Sequence, residues 1–453
     1  MRELLPCMLL LVLAGTVSAC LADPGKPVQL GQSFLRLDGP WKFHTGDDPR
    51  WAEPGFDDAA WEDVDLYAPP GANDGDSGVS PYTPGWTAKG HPGYQGYAWY
   101  RLHTTVLPPA GESLALLGPW AVDSVYQVYA GGKLLGGVGD FSGGTPTAYG
   151  FHYPRYFELP PDMAQGGTIT LAIRVWLGPW AVARPALALG GAGGIHVAPA
   201  IGGQEAISAQ YRLQWLRLFE GYVVDVVPAL MYFLTALMAL CVWRFDRADR
   251  VYPWLAVALL CTGIARGNQP FFFWWQIEPV QGFVIVTGIL ARPCALGAWM
   301  MAWHSWFRLD KPVWLPKAVA VLTGVTMAAN LLSVPWMYHA AFPQLVASAV
   351  GYLALIAHWA FLLSYVLIAF MGIRRHGREA WYALPALLAL GSVLFIGELV
   401  ALGVPGTWFP FGVGLSLTEC TGAILCVLLS GLLLRRLWSF APRRHVTQLE
   451  PAS

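Results

Sequence analysis

Four charged residues lie deep inside apolar stretches of this sequence: Arg266, Arg292, Glu398 and Glu419. A charge at the centre of a bilayer costs at least ~2.5–3.5 kcal/mol on insertion scales, so such residues are rare and tend to pair or to work. At ~1.5 Å per residue, all four fall at the middle or in the outer half of their segments, at depths that permit two Arg–Glu pairs. Two chemistries are open to them. One is a static ionic clamp between helices, and the other is a polar network that shifts on a signal. Asp225 lies near the outer end of its segment, within easier reach of water. His304 lies near an inner interface, and His358 reads as a satisfied interior imidazole rather than a proton relay.

Outside the apolar stretches, Asp57 and Asp58 are adjacent carboxylates. Glycoside hydrolysis needs two carboxyl groups flanking the scissile bond. These two sit in a turn pattern and read as loop caps, so binding is expected rather than catalysis. Trp86, Tyr94 and Tyr97 lie in or beside a Gly/Pro-rich region, 73–96, where an aromatic face can cover the CH face of a sugar ring. Leu117-Gly118-Pro119-Trp120-Ala121-Val122 recurs as Leu177-Gly178-Pro179-Trp180-Ala181-Val182. The repeat reads either as two strand ends needing the same aromatic plug or as a paired Trp platform for a ligand. Of the seven cysteines, Cys7 and Cys20 are N-terminal and the other five lie in apolar runs. No CxxC or Cys/His cluster suggests a metal site, and no cofactor is implied.

The elements that must position these residues fall into two blocks. Apolar residues make up 55% of the chain and charged residues 13%, against roughly a quarter charged in a soluble domain, so much of the chain is expected not to face water. The net charge of −1 gives no basic stripe for nucleic acid. Residues 1–20 read as an export signal, with a short apolar run too brief to span a bilayer. Val17-Ser18-Ala19-Cys20 is open to cleavage after Ala19 or to lipid attachment at Cys20. Residues 21–203 carry short β-type runs separated by turn signals, among them Trp99–His103, Leu114–Leu117, Ser124–Tyr129 and Ile169–Trp176, with a period near two in Val125–Tyr129 and Thr168–Val175, and predict a β-sandwich of jelly-roll type. A Gly-rich hinge, 190–203, precedes an amphipathic linker helix, 204–221.

Seven apolar segments follow within 222–434: Tyr222–Trp243, Tyr252–Trp275, Gly282–Trp306, Leu315–Val334, Leu345–Ile373, Trp381–Val404 and Val413–Leu434. Each approaches the ~20 residues a bilayer requires. Arg244, Arg247 and Arg250, then Arg308, Lys311 and Lys317, then Arg374, Arg375 and Arg378, and finally the basic tail 435–453 fall in alternate loops. By the positive-inside rule they are cytoplasmic. An all-α polytopic domain of seven helices in the inner (plasma) membrane is expected, its β domain outside and its C-terminus inside.

Gly39-Pro40-Trp41-Lys42-Phe43, Phe56-Asp57-Asp58-Ala59-Ala60-Trp61, Ala98-Trp99-Tyr100-Arg101 and Val128-Tyr129-Ala130-Gly131-Gly132-Lys133-Leu134-Leu135-Gly136 occur in that order. Over roughly 150 residues they resemble the sugar-binding, galactose-binding-like jelly roll of family 2 glycoside hydrolases. The departure is Ala130-Gly131 where that family shows Asn-Gly. The resemblance implies a carbohydrate-binding fold; the catalytic carboxylates of those hydrolases lie on a separate barrel, of which this sequence carries no sign. The two-block architecture resembles bacterial seven-transmembrane receptors with diverse intracellular signalling modules. About 19 residues follow Leu434, too few for such a module, so signalling would run through a cytoplasmic partner or lipid headgroups.

The expected function is therefore a sensor whose outer domain binds a carbohydrate or cell-envelope ligand. A transporter or accessory subunit would predict broken helices, for which Gly267-Asn268-Gln269-Pro270 and Arg292-Pro293 are the candidate breaks. A membrane enzyme would use Glu398 or Glu419.

Overall fold

A computed structural model describes residues 34–72, 79–106, 113–147, 153–160, 168–178, 192–275, 277–333, 344–377, 381–408 and 415–446. The export signal, Cys20, Trp180 and the last seven residues of the tail lie outside them.

The N-terminal region forms two antiparallel sheets from ten strands: β1 (Phe34–Arg36), β2 (Trp41–Thr45), β3 (Glu62–Val64), β4 (Gly96–Thr105), β5 (Leu114–Leu117), β6 (Val125–Ala130), β7 (Lys133–Val138), β8 (Tyr156–Glu158), β9 (Thr168–Leu177) and β10 (Ala200–Gly203). One sheet has the order β1-β10-β5-β8 and the other β3-β2-β4-β9-β6-β7. The period of two decides which side chains they share. Ala98, Tyr100 and Leu102 of β4, Ile169, Leu171, Ile173 and Val175 of β9, and Leu114 and Leu116 of β5 enter one core with Trp41 and Phe43. β4 and β9 pair over ten residues, from Gly96 opposite Leu177 to Thr105 opposite Thr168. The turn between β6 and β7 is made by Gly131 and Gly132 at φ 55° and 83°. A two-residue hairpin needs that left-handed pair, and Gly-Gly supplies it as Asn-Gly would.

β5 does not alternate, because both of its faces are buried. Leu114 and Leu116 face the core between the sheets, while Ala115 and Leu117 pack with Ile207 on the other side. Ile207 belongs to α1 (Gln204–Phe245), which follows β10 with no residue between them. Residues 200–203 are thus a strand, not part of a hinge, and the expected linker helix and first span are one helix of 42 residues. Its first residue is tied down: the Gln204 backbone N–H donates to the Ser113 carbonyl at 2.9 Å, and its side-chain amide donates to Glu158 at 2.9 Å.

The helical region continues with α2 (Val251–Trp275), α3 (Val280–Trp306), α4 (Leu315–Leu332), α5 (Gln344–His376), α6 (Leu384–Leu394), α7 (Ile396–Ala401) and α8 (Leu417–Val446). A two-strand ladder, β11 (Thr407–Trp408) with β12 (Leu415–Ser416), precedes α8. Tyr232, Trp299, Trp303, Phe361, Leu390 and Leu429 pack at the centre. Outward-facing Leu234 and Leu363 are 66% and 69% exposed, an apolar surface that suits acyl chains and not water.

Among the described residues, five helices are long and apolar enough to cross a membrane: Gln204–Phe245, Val280–Trp306, Leu315–Leu332, Ala349–Arg375 and Leu417–Trp438. The other two expected spans depart for local reasons. α2 is continuous through Pro270 but carries the polar run 266–270. The sixth segment is broken at Phe395, between α6 and α7. Neither expected break interrupts its helix; α3 instead widens into π-type turns over Val284–Ala291. Those turns end just before Pro293, which cannot donate to the Ile289 carbonyl.

Because Ile207 seats α1 on the sheet, Ile207→Ala should lower stability by about 2–5 kcal/mol. The measurement is denaturant unfolding of the full-length protein in detergent; no loss would mean that α1 is not held there.

Candidate functional site

The outer face of the six-stranded sheet carries the polar and aromatic residues that alternation excludes from the core. Arg101 of β4 is fully buried. Its Nε donates to Asp58 at 2.7 Å, and its other nitrogens donate to the backbone carbonyls of Trp51, Glu53 and Phe56. Phe56 and Trp61 flank the guanidinium at 5.5 and 6.0 Å. His103 Nε2 lies 2.9 Å from the same carboxylate. The Phe56–Trp61 motif is therefore a lid clamped on Arg101 of the Ala98–Arg101 motif, which explains why the two occur together. Asp57 caps the Ala59 N–H at 3.0 Å. Burial acts to raise the Asp58 carboxyl, but hydrogen bonds from Arg101 and His103 outweigh it and hold it below the ordinary range.

Two residues along, Arg174 of β9 forms a fork with Asp47, its Nε donating at 2.7 Å, and reaches Gln127 at 2.9 Å. The Trp99 indole N–H donates to Asp47 at 3.0 Å. The guanidinium lies 4.2 Å over Tyr97, and Tyr129 stacks on Trp99 at 5.5 Å. Arg174, Gln127, Tyr97 and Tyr129 are half-buried, so this is a partly open tray of donors, acceptors and ring faces.

At its far end the tray meets the helices. Val79, Trp120, Val125, Trp176 and Val197 of the β region form one apolar cluster with Leu218 and Tyr222 of α1, Phe272 and Phe273 of α2, and Val280 of α3. Tyr222 stacks on Phe273 at 4.1 Å. His196 locks the loops above: Nδ1 lies 2.8 Å from the Thr83 carbonyl, Nε2 lies 3.0 Å from the Asp123 carboxylate, and the ring stacks on Tyr82. Below the cluster, on the same two helices, Asp225 of α1 lies 3.6 Å from Arg266 of α2. Asn268 donates to Thr287 at 3.0 Å, and Asn330 donates to the Gly288 carbonyl at 2.9 Å, catching polar groups of the widened turns of α3.

The proposed aromatic site is dispersed. Trp86 is 2% exposed, wedged against Phe43 and Tyr94 in the core, and Trp120 is 4% exposed at the junction. Neither offers an open ring face. The Tyr94 hydroxyl donates to the Tyr97 carbonyl at 2.6 Å, and Tyr97 lies in the tray. The four intramembrane charges do not form Arg–Glu pairs. Arg266 turns to Asp225. Glu398 lies 2.6 Å from His358 beside the Phe395 break. Glu419 accepts from the Ser416 N–H at 2.8 Å while the Ser416 hydroxyl accepts from Glu419 N–H, which is a capping box at the start of α8. Arg292 is exposed on α3. Among the described residues, no group of three His, Cys, Asp or Glu side chains could hold a metal ion.

Asp47 and Arg174 escaped the sequence reading, although a signal existed. Arg174 is the one charge in Thr168–Leu177, and a charge in an apolar strand demands a partner. The capping box of Glu419 was likewise written in Ser416-Leu417-Thr418-Glu419.

No family model and no curated protein matches the chain. Similar solved structures include Bacteroides uniformis β-glucuronidase 2 covalently bound to cyclophellitol-6-carboxylate aziridine, with 23% identity, TM-score 0.26, and coverage of 38% of this chain and 18% of that one. A β-glucuronidase from glycoside hydrolase family 2 matches with 19% identity, TM-score 0.27, and coverage of 39% and 18%. Bifidobacterium dentium β-glucuronidase complexed with coumarin-3-O-glucuronide matches with 18% identity, TM-score 0.25, and coverage of 39% and 31%. The chain spans less than a third of the length of each.

Removing Asp58 leaves the buried Arg101 charge uncompensated, so Asp58→Ala should cost about 3–5 kcal/mol, against roughly 1 kcal/mol for the capping Asp57→Ala. Because the folded pKa of Asp58 is lowered, its contribution is complete above the unfolded value of about 3.9 and is lost as pH falls through the folded value. Unfolding of wild type against pH should show that loss below about pH 4, and Asp58→Ala should flatten it.

Proposed function

We propose that this protein is a membrane sensor. Its N-terminal region is a galactose-binding-like jelly roll that takes a carbohydrate or cell-envelope ligand, and seven helices carry the response to a cytoplasmic partner. The ligand surface is the tray of Asp47, Arg174, Gln127, Tyr97 and Tyr129. A fork donor, a carboxylate, an amide and ring faces are the groups that hold sugar hydroxyls and CH faces.

The observation that carries this reading is the junction. The strand carrying Trp176 also carries Arg174, and the apolar cluster around Trp176 includes the segments of α1 and α2 that hold Asp225 and Arg266. A ligand shifts such an equilibrium only if its affinity differs between two arrangements of that junction. The α2 stretch that failed as a purely apolar span is the stretch that supplies Arg266 and Asn268 to this polar layer.

Titration of the full-length protein in detergent with mono- and oligosaccharides tests the reading. A ligand at a hundred times its Kd stabilises the fold by about 2.7 kcal/mol, and Arg174→Ala should remove that shift. A folded protein indifferent to every sugar class would move the β region to protein contact. If the junction couples, Arg266→Gln should leave sugar affinity within a fewfold while abolishing ligand-dependent protection of α1 and α2 from hydrogen exchange.

A second reading, as a transporter, rests on the Phe395 break beside His358 and Glu398 and on the widened turns of α3. Discontinuous helices at mid-membrane build substrate sites in such proteins. Ligand-driven uptake into proteoliposomes would favour it over a sensor.

A further inference from the structure

At the opposite end of the bundle from the sheets, the loop from α1 into the start of α2 and the loop from the end of α3 into α4 border an open cavity of about 600 Å³. That is within the roughly 300–1,000 Å³ of small-molecule sites. Asp246, Asp249, Arg250, His304, Arg308 and Asp310 supply its polar lining, and Trp254, Met301, Leu309 and Pro316 its apolar lip.

Two of its three acids are already engaged. Asp249 pairs with Arg436 at 3.2 Å and caps the Val251 N–H at 2.9 Å, and Asp310 pairs with Arg375 at 2.5 Å. Asp246, Arg250 and Arg308 have no ion-pair partner among the described residues. Arg308 also holds φ at 44°, a left-handed conformation that a non-glycine residue adopts only where its surroundings impose it. The walls are thus braced by ion pairs to α5 and α8, and two cations and one anion are left over facing the cavity.

The surroundings are those of a headgroup layer. Arg436 lies 3.9 Å over Trp306 and Arg247 lies 6.0 Å over Trp243, and Trp and Arg concentrate at membrane interfaces. We infer that this cavity binds a phosphoethanolamine group, a phosphodiester next to a primary ammonium. Arg250 and Arg308 take the phosphodiester oxygens, to which a guanidinium fork is matched. Asp246 takes the ammonium, whose three N–H donors satisfy a carboxylate. A quaternary ammonium has no N–H and calls for an aromatic cage, whereas the lining carries one Trp. A glycerol headgroup would leave Asp246 facing hydroxyls in place of a cation.

Soluble phosphoethanolamine, a phosphomonoester, shares the anionic phosphate oxygens and the primary ammonium of the lipid headgroup. The purified full-length protein, in detergent, should therefore be melted with short-chain phosphatidylethanolamine, phosphatidylcholine, phosphatidylglycerol or free phosphoethanolamine. The ethanolamine lipid should raise Tm at a concentration at least threefold lower than the other two lipids. Asp246→Asn and Arg308→Gln, both on accessible side chains, should keep the lipid-free Tm and lose that preference. Free phosphoethanolamine acting as well as the lipid would support the site and assign the soluble source. Equal response to all three lipids, or a preference untouched in both variants, would overturn the site. The inference rests on the membrane reading. Release of the protein from membranes by alkaline extraction would sink that reading, whereas an embedded protein with no ethanolamine preference would sink the cavity site alone.

Discussion

An α-helix carries its backbone hydrogen bonds within itself, so a single helix can link regions that lie far apart. In this protein one such helix, α1, begins on the residue after strand β10 and runs for 42 residues, about 63 Å at the standard rise. That is twice the ~30 Å hydrocarbon thickness of a bilayer. Its first turns lie against the four-stranded sheet and its last turns belong to the bundle core. α1 thus joins the sheet to Tyr232, Ala236 and Ala239 among the other helices, with Pro228 in its interior. The two-faced burial of β5, the Gln204 anchors and the aromatic junction of Tyr222 with Phe273 all depend on that continuity.

Around this rod, each buried charge is handled by its nearest chemistry. Arg101 is boxed by a carboxylate, three carbonyls and two rings. Arg174 shares Asp47 with Trp99. Glu419 spends its carboxylate on a helix start, which removes it as a free acid for catalysis and leaves Glu398, beside His358, as the carboxylate at a helix break. The Asp225–Arg266 contact is looser at 3.6 Å and lies closest to the β region. The tightest pairs hold motifs together; the looser one lies where two regions meet.

Two of the N-terminal motifs occur together for a physical reason. The Phe56–Trp61 segment and the Ala98–Arg101 strand are two halves of one salt-bridged lid, and losing either exposes a charge to an apolar interior. Such a pair keeps a fold intact whether or not a sugar ever binds. That pair therefore serves the architecture, while the separate Asp47–Arg174 tray leaves half-buried polar groups and ring faces on the same sheet.

Local pattern was enough to locate four of the strands and most of the long helices. Period-two runs placed β6 and β9 to within a residue, a short apolar run placed β5, Gly-Gly marked the β6–β7 turn, and apolar length marked five membrane-length helices. Those features depend on neighbours in sequence, whose geometry is set by backbone sterics and hydrogen bonding alone. The partners of charges did not follow from depth. Arg266 and Glu398 sit at compatible heights, but height is one coordinate of three, and packing turned Arg266 to Asp225 and Glu398 to His358. The same holds for Trp86 and Trp120. Their composition suited sugar stacking, but which face of a tryptophan is covered depends on what the chain brings against it from far along the sequence: Gly193 on Trp86, and the helices α1 and α2 on the cluster of Trp120. The absence of a hinge at 200–203 was likewise a tertiary decision, made by a hydrogen-bonded neighbour strand that two glycines in isolation do not specify.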